Sequence, residues 1–471
     1  MAAEKNASTR GATTRPGFEA PGFADYLILG NSAAGVTAAE RIRQADPNGS
    51  IVIASPEPHA AYGRPLISYL IEGKTSEERI GYKNARFYER LGVTALLGPG
   101  FDAVSLDAAA HECAFSGGAR IRYGKCLVAT GSVPFTPPIE GLAGRANVCT
   151  FMTLDDARCA CRLAAQARER AAAEGRESHA VVIGAGLIGL KAAEALSSKV
   201  DRITVLELAG RILPAVLDDE AAALLQRYLA DHRIECRPGV SAQQVLGEGD
   251  EATGALLTDG SRIDCDFIVA AVGVRPNTGF VVEAGAEQGR GLVCGPDLQT
   301  SLPDVYAAGD VVQVRDALDG SLRPLALWPN AVAQGRIAGA HMAGAANAPT
   351  FEGSFAVNAV DFFDASLLTA GIINPSEDSG CEVRVQRDEE AGSYAKLVVR
   401  NGALAGYILL NRPERAGVLT SLIASGAPLS QLQGGLEALA EPCNLDFPVE
   451  ERWTRLHCGY PAGLDRRGWK R

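Results

Sequence analysis

Three glycines at a fixed spacing give the chain its clearest chemical feature. Gly184, Gly186 and Gly189 follow a short apolar strand and open an Ala-rich helix. The pyrophosphate of a dinucleotide is an anion that binds against backbone N–H groups at the start of a helix, and glycine leaves the clearance that this approach needs. Glu207 ends the next strand, where a carboxylate accepts hydrogen bonds from adenosine ribose hydroxyls. The pattern therefore predicts a dinucleotide-binding loop.

The same carboxylate indicates which nicotinamide dinucleotide binds. The negative charge of Glu207 would repel a 2′-phosphate, so NADH is favoured over NADPH. Arg211 lies close by in the sequence and could soften this preference. We therefore expect NADH as the exchangeable ligand, with NADPH as the less favoured alternative.

A second loop of the same kind lies nearer the N-terminus. Gly30, Ser32 and Gly35 occupy the three loop positions after an apolar strand. Ser32 replaces the central glycine, but it is still small, and its hydroxyl could bond a phosphate. The strict ribose position, Ser55, is not acidic, and Glu57 is the nearest substitute. By itself this loop is also compatible with a bare tight turn, but the two loops together predict two dinucleotides in one protein.

Composition excludes several classes of protein. The chain has 471 residues, of which 47% are hydrophobic and 21% charged, so it is long enough for about three domains and is not disordered throughout. Its formal net charge of −11 argues against a genome-binding module. No apolar run approaches the ~18 residues that span a bilayer, so we expect no membrane span.

The cysteines and histidines suggest neither a metal site nor a disulfide framework. The 11 cysteines are an odd number without a repeated pattern, which favours reduced thiols in the cytoplasm. Cys159 and Cys161 form the only close pair, and we interpret both as plain thiols because their C-x-C spacing is not that of zinc or iron–sulfur ligands. The six histidines show no ligand spacing either, so we predict no metal.

Two β-α-β units must position the two loops. The first runs from the strand at 25–30 to the strand at 51–54, and the second repeats the same order over 180–207. After Gly344 the pattern changes to alternating strands, which predicts a third, α+β domain. The predicted fold class is therefore α/β, with two Rossmann-like domains and a C-terminal α+β domain.

The order of the motifs is more specific than any one of them. Besides the two glycine loops, the chain contains Tyr62-Gly-Arg64-Pro65, Ala129-Thr130-Gly131, Ala271-Val-Gly273, Tyr306-Ala-Ala-Gly309-Asp310 and Leu327-Trp328-Pro-Asn-Ala331. In this order, the chain resembles the FAD-dependent pyridine nucleotide-disulfide oxidoreductases of the glutathione-reductase structural class. It is most similar to the rubredoxin and ferredoxin reductases and to the flavin half of assimilatory nitrite reductase. The resemblance covers about two-thirds of the chain, residues 25–344.

The resemblance implies a cofactor for each loop. FAD would bind the first loop and NADH the second, and Asp310 would bond the ribityl chain of FAD, although a carboxylate in this position can also merely cap a turn. The implied cofactor-binding residues are Gly30, Ser32, Ala33, Ala34, Gly35, Glu57, Arg64, Pro65, Ala129, Thr130, Gly131, Gly184, Gly186, Leu187, Ile188, Gly189, Glu207, Gly273, Gly309 and Asp310.

The resemblance also implies how the chain is divided. Residues 1–24, rich in Ser, Thr, Arg and Pro and without an apolar core, are predicted from their composition to be a flexible leader. The resemblance implies a discontinuous FAD domain formed by 25–145 and 266–344. The NADH domain, 146–265, is inserted into it, and both are three-layer ββα/βαβ domains. The C-terminal domain, 345–471, would form a homodimer or partner interface.

Relatives that act through a thiol carry a redox cysteine in the segment after the first β-α-β unit. In this chain no cysteine lies between Ser55 and Leu91, and the first cysteine is Cys113. A thiol-based disulfide or peroxide mechanism is therefore disfavoured.

Three further residues are candidates for catalytic roles. Relatives of the ferredoxin-reductase type usually have a Lys and a Glu where this chain has Tyr69 and Lys191. We hypothesise that Lys191 approaches the flavin or nicotinamide and that Tyr69 supplies a hydroxyl, because a nearby cation favours the anionic reduced flavin. Alternatively, Lys191 faces solvent and Tyr69 is a packing aromatic. Trp328 stands where the family places an aromatic that relays electrons or shields the flavin, or else it is a core residue.

The expected protein is a cytoplasmic flavoprotein that passes hydride from NADH to FAD and electrons to another acceptor. Because no thiol lies in the predicted electron path, that acceptor is a redox protein, a partner metal subunit or a small oxidant. Two rival interpretations are a non-turnover NADH-binding regulatory or assembly subunit and a thiol-independent NADH oxidase. The C-terminal segment 451–471, with six basic and two acidic residues, could dock an acidic redox protein or be a solvated end.

Overall fold

The computed structural model describes residues 20–431, so most of the predicted leader and the whole basic segment 451–471 lie outside the described residues. The chain divides into two compact units, 1–356 and 357–471. Within 20–431, no helix combines the length and the apolar composition needed to cross a membrane.

The first unit alternates strands and helices. Its strands are β1 (Phe23–Leu29), β2 (Ile51–Ser55), β3 (Val93–Leu97), β4 (Ala103–Asp107), β5 (Glu112–Phe115), β6 (Arg120–Val128), β7 (Ser132–Pro134), β8 (Val148–Cys149), β9 (His179–Ile183), β10 (Arg202–Glu207), β11 (Ile234–Pro238), β12 (Ala242–Glu248), β13 (Glu251–Leu257), β14 (Arg262–Asp264), β15 (Phe267–Ala270), β16 (Val274–Pro276), β17 (Val305–Ala307), β18 (Gln313–Arg315) and β19 (Leu322–Pro324). Its helices are α1 (Ala33–Ala45), α2 (Ile67–Glu72), α3 (Phe87–Leu91), α4 (Leu154–Glu174), α5 (Leu187–Leu196), α6 (Asp219–Asp231), α7 (Gly279–Glu283) and α8 (Trp328–Met342).

The first sheet carries the N-terminal loop. Its strand order is β3-β2-β1-β6-β5-β4, and β17 also pairs with β6. The strands β2, β1, β6 and β17 are parallel, so their carboxyl ends meet at one edge. Successive residues of β1 point to opposite faces, with Ile28 in one apolar core and Leu27 in the other.

Helices α1 and α8 pack closely on one face of this sheet. A Cβ atom at Gly335 would collide with the carbonyl oxygen of Ala34, and one at Gly339 with that of Ala38. The two glycines therefore let the helix backbones approach, with the middle of α8 against the start of α1.

The second sheet carries the other loop. Its order is β11-β10-β9-β15-β8, with all strands parallel, and the strands β12-β13-β14 form a small antiparallel sheet beside it. The predicted boundary assigned 266–344, and with it β15, to the first domain. The structure differs, because β15 pairs with β9 and β8 of the second sheet. The four residues of β15 are all buried. A fully apolar run of this kind indicates a central strand but does not identify the sheet to which it belongs.

The second unit is an antiparallel sheet with one helix among its described residues. The strands are β20 (Val357–Phe362), β21 (Ala365–Gly371), β22 (Glu382–Asp388), β23 (Ser393–Arg400) and β24 (Ala403–Leu410), in the order β20-β21-β24-β23-β22, and the helix is α9 (Ala416–Ser425). The segment 345–356, predicted to belong here, lies in the first unit, where the Phe351 N–H donates to the Pro296 carbonyl at 2.8 Å. The predicted α/β class with a C-terminal α+β unit is confirmed.

Candidate functional site

The loop between β9 and α5 has the shape that anion binding needs. Gly184 has φ +105°, and a Cβ atom there would collide with the carbonyl oxygen of Ala271. At Gly189 a Cβ atom would collide with the carbonyl oxygen of Gly184. Gly186, the N-cap of α5, is different, because its backbone is extended and nothing lies within 4 Å of an added Cβ. The fold itself does not require glycine at this position, and the open space at the helix start fits a dinucleotide pyrophosphate.

Glu207 lies directly beside this loop. Its Oε2 accepts a hydrogen bond from the Ala185 N–H at 2.8 Å, and its Oε1 accepts one from the Ala209 N–H at 2.8 Å. These two bonds fix the carboxylate at the end of β10, next to the parallel strand β9. Each oxygen keeps a second lone pair with which it can accept a ribose hydroxyl.

The guanidinium of Arg211 points elsewhere. It donates to the carbonyl oxygens of Leu217 at 3.1 Å and Pro214 at 3.3 Å, and to Asp219 Oδ1 at 3.0 Å. Arg211 is thus engaged in its own loop. This arrangement fits NADH better than NADPH, whose 2′-phosphate needs a cation near Glu207.

The loop between β1 and α1 repeats these features. Gly30 has φ +124°, and a Cβ atom there would collide with the carbonyl oxygen of Ala129. Ser32 is the N-cap of α1, but its hydroxyl makes no capping hydrogen bond. The hydroxyl and the N–H groups of the first turn are therefore available to a phosphate. Ala33 and Ala34 follow as small, buried residues.

Glu57 and Arg64 form an ion pair behind this loop. Arg64 Nη2 bonds Glu57 Oε1, while the Tyr62 hydroxyl donates to Glu57 Oε2 at 2.7 Å. The Tyr62 oxygen also accepts from the Leu154 N–H at 3.0 Å. Burial, together with the nearby carboxylate of Glu57, raises the pKa of Tyr62 well above its usual range. Each Glu57 oxygen thus has one partner and keeps a second lone pair, so the predicted role of Glu57 as a ribose acceptor stays a prediction.

The other predicted flavin-binding segments meet at the carboxyl ends of the parallel strands β6 and β17. Ser132 Oγ donates to Asp310 Oδ2 at 2.7 Å, and Thr130 Oγ1 donates to the Asn277 carbonyl oxygen at 2.7 Å. The Gly309 N–H donates to Oε1 of Gln334, a buried side chain of α8. Gly131 lies next to Ser132, and Pro65 lies in the 3₁₀ turn Arg64–Leu66. Of the other predicted residues, Gly273 directly precedes β16, and Leu187 and Ile188 begin α5.

Lys191 and Tyr69, two of the predicted catalytic residues, lie close together in the fold. Lys191 Nζ is 5.2 Å from the centroid of the Tyr69 ring, and it forms an ion pair with Glu194, one turn further along α5. The side chain of Lys191 is only 15% exposed and that of Glu194 only 2%, so the alternative of a solvent-facing Lys191 is wrong. Lys74 Nζ lies 5.5 Å from the same ring and pairs with Glu72 at 2.5 Å.

Trp328 occupies the first turn of α8. Its ring meets that of Tyr82 edge-on, with centroids 4.9 Å apart, and it packs at the margin of the apolar core that includes α1. It is only partly buried. Trp328 is therefore neither a fully enclosed core residue nor a free surface residue.

Sequence reasoning missed two polar residues of the site. Glu194 lies three residues after Lys191, a spacing at which helical side chains meet and which could have indicated the ion pair. Gln334 lies far from Gly309 in the chain, and only the packing of α8 brings them together.

In the region 20–431 we find no group of three or more His, Cys, Asp or Glu side chains placed to hold a metal ion.

Comparisons with known proteins agree with this geometry. The family model described as pyridine nucleotide-disulphide oxidoreductase matches residues 24–335, and that of the rubredoxin NAD+ reductase C-terminal domain matches residues 357–427. The epsilon subunit of NADH-dependent phenylglyoxylate dehydrogenase from Aromatoleum evansii is 30% identical over 411 residues, covering 87% of this chain and 93% of that protein. The NAD(P)H nitrite reductase of Bacillus subtilis is 30% identical over 87% of this chain, which spans only 48% of that protein's length.

A solved structure with the same fold covers nearly the whole chain. The crystal structure of a ferredoxin reductase from Rhodopseudomonas palustris superposes with a TM-score of 0.76 and 25% sequence identity. The superposition covers 91% of this chain and 99% of that structure.

Proposed function

The chain belongs to the pyridine nucleotide-disulphide oxidoreductase family, and from this premise we propose that it is a FAD-dependent NADH:acceptor oxidoreductase that works without a redox-active disulfide. It is an NAD(P)H-dependent oxidoreductase with FAD and NADH as its cofactors. The observation that carries the finer proposal is the presence of two anion-binding glycine loops in a chain with no cysteine between Ser55 and Leu91. The proposed electron path therefore includes no protein thiol.

When bound, FAD and NADH supply the redox chemistry, namely hydride transfer from the nicotinamide and release of electrons to an acceptor. The chain binds and orients both. In this proposal the N–H groups at the start of α5 and the carboxylate of Glu207 hold NADH, while the start of α1, Ser32 and Asp310 hold FAD. The open space at Gly186 and the uncapped hydroxyl of Ser32 support these roles.

We assign the catalytic environment to Lys191, Tyr69 and Trp328. Lys191 is a fixed, mostly buried ammonium, and Glu194 restrains its position through the ion pair. A fixed cation lowers the free energy of negative charge that accumulates beside it, which favours reduction. Tyr69 lies against this ammonium, and Trp328 at the start of α8 packs edge-on against Tyr82.

As acceptor we propose the redox centre of a partner protein. Two relatives support this choice, since one is named as a subunit of a larger NADH-dependent dehydrogenase and another as a ferredoxin reductase. Homodimerisation and a cytoplasmic location stay predictions from the resemblance and from the cysteine usage.

Anaerobic stopped-flow absorbance tests the proposal. We expect the purified chain to be yellow, to be bleached by NADH at roughly 1–1,000 per second, and to recover its colour rapidly when a ferredoxin or rubredoxin is added. Slow bleaching and slow recovery would instead indicate a regulatory or assembly subunit. Oxygen consumption with NADH alone, at the rate of protein-acceptor reduction, would replace the partner by a small oxidant. A colourless chain that takes up no added FAD would overturn the proposal as a whole.

A further inference from the structure

Glu72 presents a buried carboxylate oxygen that the fold leaves without a hydrogen bond. The residue ends α2, and its side chain is only 10% exposed. Its Oε2 pairs with Lys74 Nζ at 2.5 Å, whereas its Oε1 has no hydrogen-bond partner in the described part of the chain. Three other buried side-chain atoms among residues 20–431 share this condition, but none of them belongs to a carboxylate. A buried acceptor without a donor costs free energy, so this oxygen calls for an explanation.

The Glu72 carboxylate belongs to the cluster around the Tyr69 ring. Tyr69 lies three residues before Glu72 on α2, a spacing at which helical side chains are neighbours. Lys74 Nζ, which bonds Glu72, lies 5.5 Å from the centroid of this ring, and Lys191 Nζ lies 5.2 Å from it. Helix α2 packs on α5, the helix that carries Lys191. Glu72 therefore lies where α2 meets the helix that opens from the NADH loop.

Exposure differs sharply among the charged groups of this cluster. The side chains of Glu194 and Lys191 are 2% and 15% exposed, whereas that of Lys74 is 56% exposed. Because Lys74 both bonds Glu72 and reaches solvent, the Glu72 carboxylate lies on the solvent side of the buried pair. The hydrogen bond with Glu72 raises the pKa of Lys74, so this ammonium stays charged and has no lone pair to accept a proton. Glu72 is therefore the proton acceptor on this side of the cluster.

The proposed reaction needs such an acceptor. Oxidation of NADH to NAD+ yields two electrons and one proton. A hydride carries its own hydrogen, so the transfer from the nicotinamide requires no separate proton. The proton becomes free only when the electrons leave for the acceptor, and it must then reach water.

We infer that Glu72 is a proton-transfer residue, whose Oε1 takes up this proton and releases it to water on the side of Lys74. The inference stands on the buried oxygen without a partner, on the ion pair that fixes the carboxylate and on the exposure of Lys74. It rests on the proposed function, because the proton is released only where an acceptor takes electrons derived from NADH.

The step at Glu72 moves a proton and no electrons. An O–H bond forms at Glu72 Oε1 when the proton arrives from the side of Tyr69 and Lys191, and it breaks when the proton passes to water. Oε2 stays bonded to Lys74 throughout, so the carboxyl group keeps its place. The electrons go to the acceptor, so that NADH and two molecules of a one-electron acceptor give NAD+, two reduced acceptors and one proton.

Stopped-flow measurements on the full flavin-loaded chain test the inference. Glu72→Gln keeps the shape of the side chain but cannot take up a proton. The chain is first bleached anaerobically with NADH and then mixed with ferricyanide in weak buffer that contains a pH indicator. In the variant, we expect the return of the yellow colour and the release of the proton to slow together by about tenfold or more. The effect should fall on this step rather than on bleaching by NADH.

Further readouts distinguish proton transfer from a structural role of Glu72. Acetate can carry the proton in place of the missing carboxylate, so it should speed up reoxidation of Glu72→Gln but not of the unchanged chain. The reoxidation rate of the variant should also rise with pH, because hydroxide then accepts the proton directly, and it should fall more strongly in D2O. The matched control is Glu78→Gln, which removes an exposed carboxylate of the same segment and should behave like the unchanged chain.

Equal reoxidation and proton release in Glu72→Gln and the unchanged chain would overturn the inference and leave the proposed function intact. Slow reoxidation that neither acetate nor pH relieves would overturn it too, because Glu72 would then only support the fold. An unchanged chain that NADH does not bleach would instead refute the proposed function. If Glu72→Gln holds no flavin, Glu72→Asp takes its place. Its shorter acid should slow reoxidation and respond to acetate, and an unchanged rate would count against the inference.

Discussion

Glu207 is the single residue that we expect to set the choice of nicotinamide dinucleotide. Glu207→Gln removes the charge, and one of its two oxygens becomes an amide nitrogen that cannot accept the Ala185 or Ala209 N–H. A hydrogen bond to a charged group contributes about 1.5–3 kcal/mol, so kcat/KM for NADH should fall roughly 10- to 100-fold. The value for NADPH should fall less, because repulsion of the 2′-phosphate is relieved.

Steady-state kinetics with ferricyanide as acceptor measures kcat/KM for NADH and for NADPH, and hence the ratio of the two. The flavin absorbance serves as control, since the first glycine loop lies on a different sheet and should be unaffected. A ratio of NADH to NADPH efficiency equal to that of the unchanged chain would refute the role of Glu207.

The charge of Lys191 should tune the flavin potential. Removing a mostly buried cation with Lys191→Gln disfavours the more negative reduced state, so the two-electron potential should shift downward by about 30 mV, or ~1.4 kcal/mol. Lys191→Arg keeps the charge and should restore most of the shift. The matched control is Lys74→Gln, whose ammonium also lies against Tyr69 but is 56% exposed.

Spectroelectrochemical titration reads this shift directly. If Lys191→Gln binds flavin poorly, the double variant Lys191→Gln with Glu194→Gln avoids leaving the Glu194 carboxylate unpaired, and because both charges of the pair are removed its potential should shift by less than that of Lys191→Gln. Equal potentials for Lys191→Gln and the unchanged chain would dispose of the proposed role.

At the scale of single residues, the sequence indicated which residues form the two loops, but not which side chains bind one another. The glycines and Glu207 could be predicted because local spacing determines the shape of a strand-loop-helix turn. Tyr69 and Lys191 were each named as candidates from the resemblance, but the contact between them was not predicted. The bonds of Glu57 to Arg64 and Tyr62 were not predicted, because they depend on how the loop after β2 folds back rather than on any spacing.

At the scale of elements, two glycines of one loop are expected to have different roles. Gly186 borders the space for a ligand, whereas Gly189 packs against the backbone of Gly184. Gly189→Ala places a methyl group against the Gly184 carbonyl oxygen and should destabilise the fold by about 1–3 kcal/mol. Gly186→Ala meets no protein atom within 4 Å, so the free energy of unfolding should barely change. Its methyl group instead occupies the space assigned to the pyrophosphate, and NADH binding should weaken at least tenfold.

Urea unfolding without nucleotide and fluorescence titration with NADH measure the two effects separately. A Gly186→Ala chain that binds NADH normally would show that the loop does not hold the pyrophosphate. Loss of stability equal to that of Gly189→Ala would show that the open space is needed by the fold itself.

At this scale, the sequence does not determine which of the two parallel sheets a buried strand joins. The strand β15 (Phe267–Ala270) is buried along its whole length. The predicted boundary assigned it to the FAD domain, since four buried apolar residues suit the centre of either parallel sheet. Only the register of β15 beside β9 and β8 places it in the second sheet.

For the whole molecule, the order of the motifs predicted the family and its two cofactors, and both are confirmed. Each glycine loop alone is a weak signal, but two loops followed by Gly309-Asp310 and Trp328 are specific. The acceptor could not be predicted in the same way. A protein acceptor is recognised through surface charge and shape, which involve many residues without a fixed spacing.

The balance of charge over the whole chain leads to a last prediction about that acceptor. The chain has a net charge of −11, so an acidic ferredoxin is repelled unless a local basic segment attracts it. The segment 451–471, outside the described residues, carries six basic and two acidic residues. A chain that ends at Glu450 should lose most of its kcat/KM for an acidic ferredoxin, and its remaining activity should rise with salt because screening weakens the repulsion.

Ferricyanide reduction with NADH, measured over the same salt series, should not change, since both glycine loops lie within residues 30–189. Equal ferredoxin kinetics for the full and the shortened chain would show that the basic segment is a solvated end and that the acceptor docks elsewhere.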